Sequence, residues 1–261
     1  MKGEDRVKVG LIGGTGFYDL FGTLEDIIMA TPYGDVTLFK GEHGNKEVYF
    51  LPRHGTTHGV LAPDVNYRAN MIALKMVGVE RVLAVSAVGS VNPDIQVGSV
   101  SLLDQFVDMT KRRQQTYGEF SADMTEPFCN EMKASIQGAA RMLGLPMHEN
   151  VTLVGVDGPI YETRHELQLF RSWGMDVVGM TNTTEAALAR ELGLCFSVIT
   201  LSTDMATGFA EKPPNLEAHR KVAEENKGKM KDLVLQTLGD LERNKECACT
   251  VPYQNARLAA H

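Results

Sequence analysis

The 261-residue chain lacks most of what would mark a membrane, secreted or nucleic-acid-binding protein. No apolar run approaches the roughly 20 residues that cross a bilayer as a helix. The opening residues, Met-Lys-Gly-Glu-Asp-Arg, are charged and offer no apolar h-region, so no signal peptide is expected. An excess of positive charge is missing as well. The formal net charge is −7 and the pI about 5.5, which argues against a nucleic-acid partner. Cysteine is sparse: Cys129, Cys195, Cys247 and Cys249, none at zinc-motif spacing in the sequence. There is no Gly/Ser/Pro-rich linker, internal repeat or composition break. These absences lead us to expect a cytoplasmic, reduced protein with no metal site. One domain over residues 1–243 would be followed by a polar tail, 244–261, that carries the Cys247-Ala248-Cys249 pair.

What is present is an alternation. Short β-branched runs recur at Val7–Ile12, Val48–Leu51, Arg81–Ser86, Val97–Leu103, Val151–Val156, Val177–Met180 and Phe196–Leu201. Helical patterns lie between or after them at Asn66–Val77, Pro127–Leu143, Thr163–Trp173, Thr184–Leu192 and Leu216–Leu241. Such alternation predicts an α/β domain with a mixed central sheet flanked by helices. In the last helix Met230, Leu233, Val234 and Leu238 fall on one face and predict its buried side.

The chemistry-bearing stretches sit at strand ends. Gly13-Gly14-Thr15-Gly16 ends the first strand, and its glycines let backbone N–H groups approach an oxyanion, with the Thr15 hydroxyl beside them. The spacing fits neither the G-x-G-x-x-G fingerprint nor the P-loop. Arg53-His54-Gly55 follows the second run, where a guanidinium fork and an imidazole can hold an anion. Ser86-Ala87-Val88-Gly89-Ser90 reads as a small-residue turn offering the Ser86 hydroxyl and the Ala87 N–H. Tyr161 offers a flat face to a base, and Glu162, with no charged neighbour before it, can accept the N1–H of a 6-oxopurine. Met180 can pack on a sugar, Thr181 is a further phosphate donor, and Glu185 reads as a carboxylate suited to a helix start. Asp204, read as lying just past a strand, is the best candidate for a general acid or a base-reading carboxylate.

Taken in order, these stretches resemble the trimeric purine nucleoside phosphorylase and methylthioadenosine phosphorylase family. The likeness extends to Asn66-Tyr67-Arg68-Ala69-Asn70, Asp104-Gln105-Phe106, Glu126-Pro127-Phe128-Cys129, Gly158-Pro159 and Gly179-Met180-Thr181, and it spans roughly residues 8–235. Within the family it looks closest to the methylthioadenosine phosphorylase branch. The resemblance implies a phosphorylase-type fold and phosphorolysis of a purine nucleoside in purine salvage. No cofactor is implied, and inorganic phosphate is the co-substrate. By analogy Thr15, Arg53, His54, Ser86, Ala87 and Thr181 would hold phosphate, and Met180 would lie against the ribose. Asp204 would act on purine N7, so Asp204 and His54 are the expected catalytic pair.

The chain departs from the methylthioadenosine pattern at two points. Members that take that substrate usually carry Asp-x-Asp where this chain has Asp204-Met205-Ala206, and they tend to lack Glu162. Both departures favour inosine, guanosine or methylthioinosine, with methylthioadenosine as the alternative. A non-catalytic purine-binding protein is the reading from another class. On the 5′ side His219 could bind a hydroxyl, whereas Leu216 would suit a methylthio group. The segment Tyr117–Phe128 resembles the part that a neighbouring subunit inserts into the site, which implies a homotrimer or a dimer of trimers. Pairs like Cys247-Ala248-Cys249 occur near the C-terminus of some thermostable members and can form a redox-active disulfide. Here we expect two exposed thiols on a loose tail.

Overall fold

The structure is a computed structural model. It describes residues 6–57, 59–118, 121–209, 213, 215–242 and 246–250, and the side chains of Thr15, Tyr18 and Asp19 lie outside that description. Nine strands run in chain order: β1 Val7–Gly13, β2 Glu25–Thr31, β3 Gly34–His43, β4 Lys46–Pro52, β5 Arg81–Ser90, β6 Val100–Asp108, β7 Met147–Gly155, β8 Val177–Gly179 and β9 Cys195–Met205. The helices are α1 Tyr67–Met76, α2 Asn130–Met142, α3 Arg164–Ser172, α4 Asn182–Glu191, α5 Leu216–Glu225 and α6 Lys227–Asp240.

One mixed sheet has the order β2-β3-β4-β1-β5-β8-β7-β6-β9, and β9 also pairs with β5. That extra pairing closes five of the strands into a ring, while β1, β4, β3 and β2 extend from it as an open wing. β1 runs parallel to both β4 and β5, and β5 runs parallel to β9. Their carboxyl ends therefore face one way, which is where α/β sheets place ligands.

The apolar runs become the interior strands because both of their faces are covered. On one side α1 and α4 bring Leu74 and Leu188 against Leu51, Ala84 and Val198. On the other, α2 and α6 bring Met132, Ile136, Leu233 and Leu238 against Leu83 and Ile199. The expected face of the last helix is buried: Met230 is 3% exposed, and Leu233, Val234 and Leu238 are fully covered.

Several expectations need correction. The hairpin β2–β3 has no counterpart in the buried apolar runs, because it is an antiparallel edge with one wet face. The helix expected over Leu216–Leu241 is two helices meeting at Asn226, whose side-chain Nδ2 donates to the Val222 carbonyl at 2.7 Å and competes with the helical ladder. Ser86–Ser90 is no turn, and Asp204 does not follow its strand. Both belong to the long pair β5–β9, whose register runs on to Ser90 opposite Met205 with an irregularity between Val88 and Gly89. The tail is not loose where it is described. Residues Ala248–Thr250 form a short 3-10 turn, Cys249 is buried and Cys247 is half-buried against the α2–α6 core. The boundary expected at Arg243 lies outside the described residues, as does everything after Thr250.

Candidate active site

Arg53 ties two strand ends to the middle of a third strand. Its backbone N–H donates to the Gly13 carbonyl at 3.1 Å, joining the end of β4 to the end of β1. Its Nη1 donates to the Val85 carbonyl at 3.0 Å, one residue before Ser86 on β5. Its Nε and Nη2 meet Glu185 Oε1 and Oε2 at 2.5 and 3.0 Å, reaching the first turn of α4. Glu185 also accepts from Asn182 Nδ2 at 2.9 Å. Glu185 is thus more than a helix-start carboxylate facing the dipole: it is the buried counter-ion of Arg53. The Arg53 fork, expected to grip phosphate, has three of its five N–H groups engaged with the protein and one left on each terminal nitrogen.

The segment after β8 arrives at the same place by register. β8 is antiparallel to β5, with Val178 opposite Gly89 and Val177 opposite Ser90. A Cβ on Gly179, the residue before Met180 and Thr181, would stand 3.3 Å from Val88 Cγ1. Thr181 is the N-cap of α4 and is 6% exposed, with no side-chain hydrogen bond to the helix. The first turn of α4 is buried throughout, from Asn182 to Glu185. A buried helix start whose N–H groups have no side-chain cap is an anion seat. Ser86 Oγ is buried with no hydrogen-bond partner among the described residues, and Ala87 is exposed beside it. His54 is half-buried and its Nδ1 lies 2.8 Å from the Val60 carbonyl; a carbonyl can only accept, so Nδ1 is the donor. The backbone at Thr15 begins the turn Thr15–Leu20, while its hydroxyl lies outside the described residues.

A second group gathers around Asp204. Its Oδ1 accepts from Thr203 Oγ1 at 3.2 Å and stands 3.7 Å from His219 Nε2. Tyr161 Oη lies 3.4 Å from His219 Nδ1, and the two rings meet edge to face at 5.9 Å. Burial holds the Asp204 carboxyl above its ordinary range, with His219 and Thr203 opposing the shift. Burial also raises Glu162, and the neighbouring Asp204 charge adds to it. Tyr161 is raised for the same reasons, burial first. Gly89 lies under this group: a Cβ there would stand 3.3 Å from Asp204 Oδ2 and 3.4 Å from the Ala206 Cβ. Ala206 itself is 2% exposed and brings no carboxylate. His219, expected at the 5′ end of a nucleoside, is here joined to Asp204 and Tyr161.

Met180 links the two groups. It packs on Gly158, where φ is +67° and a Cβ would fall 2.3 Å from Met180 Sδ. Arg113, from a basic run with nothing to distinguish it from a solvated face, braces the same junction. It is buried, donates to the Met180 carbonyl and, at 2.6 Å, to the Asp157 carbonyl, and lies 5.0 Å over the Tyr67 ring. Tyr117, which opens the segment expected to reach a neighbouring subunit, is held within its own chain. Its N–H meets Glu191 at 2.8 Å and its hydroxyl meets the Arg68 carbonyl at 2.8 Å.

Parallel strand ends, a buried and uncapped helix start and a group of buried carboxyls beside it suit an α/β enzyme that takes an anionic substrate. Comparison with known proteins agrees: residues 8–239 match the model of the phosphorylase superfamily, and the chain belongs to that family. A protein of Moorella thermoacetica named probable 6-oxopurine nucleoside phosphorylase is 37% identical over 94% of this chain and 97% of its own length. The S-methyl-5′-thioadenosine phosphorylase of Pyrococcus furiosus is 40% identical over 93% of this chain and 96% of its own. Among solved structures, the methylthioadenosine phosphorylase of Schistosoma mansoni with adenine superposes with a TM-score of 0.90 at 30% identity, covering 97% of this chain and 99% of that one.

Proposed function

We propose that this chain cleaves purine nucleosides with inorganic phosphate and prefers 6-oxopurine bases, giving the free base and a pentose 1-phosphate for purine salvage. The observation that carries this reading is the pairing of two unlike environments across Met180. One has the Ser86 hydroxyl, without a partner among the described residues, and the buried, uncapped start of α4. The other has carboxyls that burial keeps protonatable.

Phosphate sits among Ser86, the Ala87 N–H, Thr181, His54, the Thr15 corner and the remaining N–H groups of Arg53. One of its oxygens attacks C1′ as the C1′–N9 bond breaks. The transition state carries positive charge on the sugar, which the phosphate anion beneath it stabilises. The departing purine gathers negative charge, and a protonated Asp204 donates to N7 so that the base leaves neutral. Glu162 accepts N1–H of hypoxanthine or guanine, a bond that adenine, with no proton on N1, cannot make. The reaction needs no cofactor. The working unit is a trimer or a dimer of trimers in the cytoplasm.

A second reading, methylthioadenosine phosphorolysis, is favoured by Leu216, an apolar side chain 58% exposed at the start of the helix that carries His219. The test is a comparison of rates on inosine, guanosine, adenosine, methylthioinosine and methylthioadenosine in phosphate. Faster release of hypoxanthine and guanine, with the preference lost in Glu162→Gln, supports the 6-oxopurine reading. Adenine released fastest, with Glu162→Gln unaffected, establishes the second.

A further inference from the structure

The four cysteines take no part in the site above, yet they lie together. Cys129 caps α2, Cys195 opens β9, and Cys247 and Cys249 come from the chain beyond α6. Their four sulfur atoms are all within 4.8 Å of one another. Cys129, Cys195 and Cys249 are buried and Cys247 is half-buried. Two disulfides would require only two short separations. Here every pair is close, which is the arrangement of four ligand atoms around one centre. At a Zn–S distance of about 2.3 Å a tetrahedral tetrathiolate sets its sulfurs about 3.8 Å apart, so the group closes on an ion with shifts on the order of an ångström.

The scaffold under these thiols is rigid. The Cys129 N–H donates to the Phe196 carbonyl at 2.8 Å, Ser197 Oγ donates to the Cys129 carbonyl at 3.3 Å, and the Cys195 N–H donates to the Glu80 carbonyl at 2.9 Å. The tail is tied down separately: the Glu246 N–H donates to Glu131 Oε1, while Glu131 Oε2 accepts from Arg81 Nη1 at 3.1 Å. Arg81 is also the register partner of Cys195. The positive end of α2, where Cys129 stands, offsets part of the charge of four thiolates on a divalent ion. The nine steps from Cys195 to Asp204 along β9 span about 30 Å, so the group stands at the opposite end of the strand from the candidate active site.

We propose that Cys129, Cys195, Cys247 and Cys249 bind one zinc ion as thiolates and so pin the C-terminal segment to the sheet. Binding releases the four thiol protons and involves no electron transfer. The test uses the full chain, purified without chelator from zinc-supplemented cells, with metal content read by mass spectrometry. About one zinc per chain is expected, released as a mercurial titrates the thiols. The cobalt(II)-substituted protein is expected to show the thiolate charge-transfer and tetrahedral d–d bands of a four-sulfur site. Cys247→Ser, at the least buried ligand, is expected to weaken zinc binding by about 100-fold or more, since loss of even an outer-shell partner costs 10–100-fold. Zinc-free protein with four titratable thiols overturns the proposal, and so does a mass reduced by two or four hydrogens, which marks disulfides. Zinc retained undiminished in Cys247→Ser overturns the ligand set.

Discussion

The Glu185 carboxylate meets Arg53 Nε and Nη2 at 2.5 and 3.0 Å, in a pair whose side chains are each only 3% exposed. Neither charge can be buried alone. Glu185→Ala would leave the Arg53 guanidinium without its counter-ion and should cost about 3–5 kcal/mol of stability. Because Arg53 also ties the ends of β1 and β4 to β5 at Val85, next to Ser86, the KM for phosphate should rise more than the KM for nucleoside. Thermal unfolding together with the two KM values checks this, and an unchanged melting temperature would contradict it.

Ser86 should behave in the opposite way. Its buried hydroxyl has no protein partner among the described residues, so Ser86→Ala removes no hydrogen bond from the apo fold. Stability should hold or rise slightly. A hydrogen bond to a charged ligand is worth about 1.5–3 kcal/mol, which predicts a KM for phosphate raised roughly 10- to 100-fold. Melting curves and phosphate titrations of parent and variant separate the two effects.

Asp204 gives a pH dependence with a definite sign. Burial raises its carboxyl above the ordinary range, so the acid form persists to higher pH in the folded protein than in the unfolded chain. The native state gains from this below the ordinary carboxyl range and loses it as pH rises through the raised value. The proton to be given to N7 disappears over the same interval, so kcat/KM should fall on the alkaline side. Asp204→Asn keeps a donor that does not titrate there, and the part of the fall due to Asp204 should vanish at a lower overall rate. A profile identical in parent and variant would remove Asp204 from the proton transfer.

Gly158→Ala tests the junction between the two environments. The new methyl would stand 2.3 Å from Met180 Sδ, at a backbone φ of +67° that a side chain strains. A loss of about 1–3 kcal/mol is expected, with the nucleoside KM raised because Met180 must move. Calorimetry and nucleoside titration at saturating phosphate check it.

The sequence carried the alternation of strands and helices and the buried face of α6, because each depends on local spacing; of the candidate site it carried the residues Ser86 and Asp204 but not their place inside the long β5–β9 pair. It did not carry relations that arise only when distant segments meet. Glu185 could be placed at a helix start, but its partner lies 132 residues away. Arg113 belongs to no motif in the sequence, yet its side chain is buried where Asp157, Met180 and Tyr67 converge. The β2–β3 hairpin escaped because its alternation marks a wet edge, not a buried run. The cysteines have no zinc-motif spacing in the chain, and only the return of residues 246–250 to Glu131 brings them together.

In the proposed reaction one anion, seated beneath a sugar, breaks the glycosidic bond. Release of hypoxanthine from inosine and methylthioinosine, followed with and without inorganic phosphate, tests it most directly. We predict release in phosphate or arsenate, none in buffer alone, and pentose 1-phosphate formed mole for mole with base in the phosphate reaction. Equal release without phosphate would make the protein a hydrolase, and no release with any purine nucleoside would make it a binder; either result contradicts the account.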